Sequence, residues 1–66
     1  MLRMEAERLA RGLACEEVAR RIGLSLQGYR QVRKGITRTP RPTTARALED
    51  LFGLPVADLL REVEGR

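Results

Sequence analysis

The chain has 66 residues, 42% of them hydrophobic, with 13 Lys and Arg against 9 Asp and Glu, one cysteine and no histidine. That length holds one domain at most, with much of its surface left in water; the apolar content is above that of disordered chains, and Tyr29 and Phe52 are the only aromatic residues for a core of Leu, Val, Ile and Ala. One Cys and no His exclude an intramolecular disulfide, a metal cluster of useful ligand count and a nucleophile–imidazole pair, so no catalytic residue, metal or cofactor is expected.

No apolar run reaches the length of a signal peptide or a membrane span, which predicts a soluble, cytoplasmic protein without a membrane partner. With no internal repeat and no linker, residues 1–66 read as a single helical domain.

The first predicted helix covers residues 2–12, with Leu2, Ala6, Leu9 and Leu13 forming an inward stripe among Arg and Glu, and Gly12 ending it. The second covers 15–22, burying Val18, Ala19 and Ile22, with Arg20 and Arg21 in its last turn and Gly23 after it. Its start lacks a capping side chain, because Ala14 stands where Ser or Thr would serve, leaving Glu17 as half of a capping box. Ser25 caps a third helix over 26–34, with Tyr29 and Val32 facing the core and Gln27, Arg30, Gln31 and Lys34 on the other face.

Gly35, Pro40 and Pro42 make the following stretch a loop, and Pro42 opens a fourth helix over 42–52 that buries Ala45, Leu48, Leu51 and Phe52. A fifth helix over 55–63 carries Val56, Leu59, Leu60 and Val63, either to fill the monomer core or to meet a second copy. The fold class is therefore all-α, with five helices and no strand.

Charge is segregated along this chain. Residues 18–48 hold eight cations and no acid, while residues 1–17 carry a net −1 and residues 49–66 a net −3. Any one of these arginines taken alone reads as a solvated side chain, but eight without an intervening acid form the electrostatic footprint of a polyanion-binding surface.

Ala19, then Gly23 four residues later, then Tyr29 and Val32 give the spacing of a helix-turn-helix. A small residue at Ala19 lets the third helix cross close to the second, and glycine accepts the positive φ that a β-carbon resists. Such a unit presents its second helix to the major groove of double-stranded DNA, with flanking cations on phosphates.

With "CEEVARRIGLSLQGYRQVRKG", the basic loop "ITRTPRPTT" and the closing "ARALEDLFGLPVADLL", residues 4–62 resemble the Cro and phage-repressor type of helix-turn-helix domain, also called xenobiotic-response-element regulators. The chain departs from the usual pattern of that family at Ala14 and Cys15, where Thr-Gln is common, and at Tyr29, where Ile or Val is usual. The resemblance implies a compact five-helix, lambda-repressor-like DNA-binding domain with its helix-turn-helix at helices two and three.

It also implies base contacts from Leu26, Gln27, Arg30 and Gln31, and phosphate contacts from Cys15, Ser25, Arg33, Lys34, Arg38 and Arg41. Gln27 is the strongest base reader, since an amide both donates and accepts and so matches adenine N6 and N7. Leu26 either touches a thymine methyl or is an ordinary surface leucine. Cys15, beside Glu16 and Glu17, reads more as an inert thiol than a reactive one.

Gly28 inside the third helix costs up to about 1 kcal/mol relative to alanine. It gives either room for DNA to approach the helix or relief from crowding against helix two or near Tyr29.

The leading functional expectation is a sequence-specific regulator of transcription, a repressor acting as a homodimer on a two-fold operator. The alternative is a protein-interaction module of the same shape, an antitoxin-like or RNA-polymerase-binding partner. An enzyme has no residues behind it.

Overall fold

The computed structural model describes residues 1–36 and 39–64. Among them are five helices and no strand: α1 (Arg3–Ala10), α2 (Cys15–Arg21), α3 (Leu26–Arg33), α4 (Pro42–Phe52) and α5 (Val56–Leu59). The first four lie within one or two residues of the expected spans, the ordinary fraying range of helix ends.

The fifth is shorter than expected, and the reason lies in where its backbone groups go. Arg3 N–H donates to the Arg61 carbonyl at 2.8 Å and Val63 N–H to the Met1 carbonyl at 2.8 Å, making an antiparallel bridge between Leu2 and Glu62. The Arg61 carbonyl and the Val63 amide thus find partners on the N-terminal segment instead of in another helical turn, while the Arg61 amide donates back to the Asp58 carbonyl at 3.2 Å. The terminal amine adds to this clasp, donating to the Val63 carbonyl at 3.2 Å and lying 2.6 Å from the Glu62 carboxylate.

The core joins all five helices or their flanks through Leu2, Met4, Val18, Ile22, Tyr29, Val32, Leu48, Phe52 and Leu59. Val56 and Leu60 are half-buried and pack against it, as does Leu51.

The inner face of α1 differs from the apolar stripe. Leu9 is 54% exposed, whereas Met4 and Glu5 are buried. A glutamate replaces a leucine on the inner face because it is held there by partners on α1 and α3 (below), and a buried carboxylate so paired is tolerated where a lone one is not.

The turn between α2 and α3 is closed by the Leu24 N–H on the Ala19 carbonyl at 2.9 Å and the Gly23 N–H on the Arg20 carbonyl at 3.3 Å. That pattern places the residue after the helix in the left-handed region, where Gly23 has φ of 76°. Ala19, 2% exposed, lies in the packed angle of the two helices as its small size requires.

Candidate nucleic-acid interface

Ser25 begins α3 as expected. Its Oγ accepts the Gly28 N–H at 3.1 Å, satisfying one of the free donors at the helix start. No such bond caps α2, where Ala14 stands at the N-cap, and Glu17 instead accepts from Arg21 at 2.9 Å.

With Tyr29 and Val32 buried, helical geometry turns Gln27, Arg30, Gln31 and Lys34 to solvent together, and all four are exposed. Leu26, an exposed position on the sequence reading, is half-buried at the edge of this face. Arg41 is exposed at the N-cap position of α4. Between α3 and the start of α4 runs a cleft of about 630 Å³, whose walls include Gly23, Leu24, Gly28 and Gln31 on one side and Arg41 and Thr43 on the other. Arg38 lies outside the described residues.

Among the described residues, no ion pair engages Arg20, Arg30, Lys34, Arg41 or Arg46. Charges left unpaired and in water keep their field available to an approaching polyanion. Arg21 and Arg33 differ, since Arg21 pairs with Glu17 and Arg33 turns inward.

Arg33 belongs to a polar cluster behind the exposed face of α3. The Glu5 carboxylate accepts two bonds from Arg8, at 3.0 and 3.1 Å, and a third from the Tyr29 hydroxyl, while the Arg33 guanidinium lies 3.8 Å away. Arg33 also donates to the Cys15 sulfur at 3.6 Å, so two of the expected phosphate contacts sit against each other, with Cys15 half-buried. Arg8 further donates to the Leu13 carbonyl at 2.7 Å.

Burial pushes the Glu5 carboxyl up, but the hydrogen bonds from Arg8 and Tyr29 and the charges of Arg8 and Arg33 outweigh it, leaving the group below its ordinary value. Burial, reinforced by the bond to Glu5, drives the Tyr29 hydroxyl well above its ordinary value. Tyr29 is therefore a neutral donor at physiological pH, fastening α3 to α1.

The sequence reading placed Tyr29 inward but did not find this link. The available signal was chemical: a phenol in so small a core must find an acceptor for its hydroxyl, and Glu5 lies one helical turn from an arginine able to balance its charge.

Among the described residues no group of three or more His, Cys, Asp or Glu is placed to hold a metal ion. No helix among them is long and apolar enough to cross a membrane. No curated protein and no solved structure matches the chain. A family model described as Helix-turn-helix matches residues 4–59, which takes in α1 through α5 apart from the first residue of α1. The chain therefore belongs to the Cro and phage-repressor type of helix-turn-helix family, a family of DNA-binding regulators rather than enzymes.

Proposed function

We propose that the protein is a sequence-specific regulator of transcription that acts as a repressor, binding a two-fold operator as a homodimer with α3 in the major groove. The observation that carries this is the exposed face of α3, where two amides and two unpaired cations stand together at the edge of a cleft. Gln27 reads a base pair, with Leu26, Arg30 and Gln31 as its neighbours in base contact.

Ser25, Lys34, Arg38 and Arg41 hold phosphates and so fix the register of the helix on the duplex. Cys15 and Arg33 are the weakest members of the phosphate set, because Arg33 must leave Glu5 and the Cys15 sulfur to reach DNA. One eight-residue recognition helix buries little surface, and a second copy doubles it, with half-sites about 34 Å apart. In this reading a second copy meets α5 and the residues after it through the half-buried Val56, Leu60 and Val63, while Leu59 is fully buried in the monomer core and takes no part. On this reading repression works by occupancy of the operator.

The test is selection from randomised duplex DNA at physiological salt, followed by sequencing of what the protein retains. A two-fold symmetric motif supports the proposal, and retention without a motif removes sequence-specific reading from it. No retention shifts the reading to a protein-interaction module, such as an antitoxin-like or RNA-polymerase-binding partner. Binding that weakens with salt at a log–log slope near −0.9 per phosphate distinguishes DNA from a protein partner.

A further inference from the structure

Gly28 is the third residue of α3, in the first turn of the helix, with its N–H held by the Ser25 cap. Its φ is not positive, so the backbone there does not call for glycine. Nor does packing against residues other than its two chain neighbours: a β-carbon at this position would meet Ser25 Oγ at 3.4 Å, the near edge of ordinary contact, Leu24 Cβ at 3.7 Å and Leu24 Cδ2 at 3.9 Å. No described atom of α2 comes nearer than these, so crowding against α2 does not explain the residue. Glycine is among the poorest helix formers, and the fold keeps one where alanine fits.

The explanation lies on the outer side. At about 100° per residue, Gly28 sits roughly 60° around the helix from Gln31, between the exposed face and buried Val32. There it forms part of the wall of the cleft that runs from α3 to Arg41 and Thr43 of α4. The Gly28 N–H is already held by Ser25, so the bare Cα is what the position offers to an occupant.

We propose that Gly28 is a clearance residue: its missing side chain lets the sugar–phosphate backbone of one DNA strand lie in van der Waals contact with the backbone of α3, and so sets how deeply the helix seats in the groove. The inference rests on the DNA-binding function proposed above and adds to it a determinant of docking depth. It assigns the cleft between α3 and α4 to one strand, with Arg41 on its far wall.

The test uses the full chain as wild type, Gly28→Ala and Gly28→Gln, with thermal unfolding and binding to the duplex selected by the wild type. Gly28→Ala is expected to raise the melting temperature by less than about 4–8 °C, the shift that relief of a full helix-interior glycine penalty gives in a domain of this size. It is expected to weaken binding about tenfold, and Gly28→Gln to weaken it further, both by similar factors on all sequences. Binding by Gly28→Ala within twofold of wild type overturns the inference while leaving the DNA-binding function intact. A melting temperature that falls on Gly28→Ala also overturns it, because the glycine would then serve the fold. Failure of the wild type itself to retain any duplex overturns the DNA-binding function, and this inference with it.

Discussion

Helices α1 and α3 have eight residues each and three cations each in and just beyond them, yet they use those cations in opposite ways. On α1 every arginine is turned back onto the protein: Arg3 pairs with Glu7 at 3.1 Å, Arg8 with Glu5, and Arg11, just past the helix, with Glu7 at 2.5 Å. Arg11 also donates to the Phe52 carbonyl at 3.1 Å and stacks over the Phe52 ring, tying the end of α1 to the end of α4. On α3, Arg30 and the neighbouring Lys34 have no ion-pair partner among the described residues, and only Arg33 turns inward. Counting cations does not separate the two helices. The carboxylates do, since acids accompany the arginines of α1 and none lies between residues 18 and 48.

The comparison is broken most forcefully at Glu5, the one acid that serves both helices. Glu5→Gln removes the charge that balances Arg8 and Arg33 in a partly dry site, and loss of one partner of such a pair costs about 3 kcal/mol. Urea unfolding should show that loss as a lower midpoint at unchanged slope. A change under about 0.5 kcal/mol would mean that the cluster contributes nothing to holding α3 on α1.

Next in size is Gln27→Ala on the exposed face. It should cut discrimination at one base pair by about 1 to 3 kcal/mol while leaving unfolding within about 0.5 kcal/mol of wild type. Binding measured across single-base variants of the selected site checks this. Equal losses on every variant would remove Gln27 from base reading.

These two substitutions also mark what could be read in the sequence and what could not. The turn at Gly23, the cap at Ser25, and the outward set of Gln27, Arg30, Gln31 and Lys34 were legible because each depends on local chemistry or on the helical period. The inward rotation of α1 was not, because periodicity counts Leu9 as core and Glu5 as surface, and only the long-range meeting with Tyr29 reverses them. The end of α5 was missed for a similar reason: an apolar period continues to Val63, but its amide pairs with Met1 at the other end of the chain. Contacts distant in sequence leave no periodic trace.

The Glu5–Tyr29 link also fixes how stability depends on pH. Glu5 is held below its ordinary value near 4.5, so its contribution is present above that value and is lost as pH falls below it. Tyr29 is held above its ordinary value of 10.0, so its contribution is present below that value and is lost as the hydroxyl ionises at higher pH. Stability should therefore be level between about pH 5 and 10 as far as this pair is concerned, falling on both sides. Tyr29→Phe should flatten the alkaline arm and Glu5→Gln should make the acid arm shallower, both followed by melting temperature against pH. An alkaline arm unchanged in Tyr29→Phe would assign it to other groups.

The smallest effects test the comparison most directly, by removing one cation from each helix. Lys34→Ala should leave the fold unchanged and weaken binding to all duplexes alike, reducing the log–log salt slope by about 0.9 if the side chain neutralises one phosphate. Arg3→Ala should leave that slope unchanged, because its charge is already met by Glu7 and lies on α1, away from the cleft. Its effect on the melting temperature should be small, since a partly exposed surface pair spaced four residues apart contributes little. The two variants carry the same change in net charge, so equal shifts in salt slope would show that binding follows total charge, and unequal ones that it follows which cations the fold leaves unpaired.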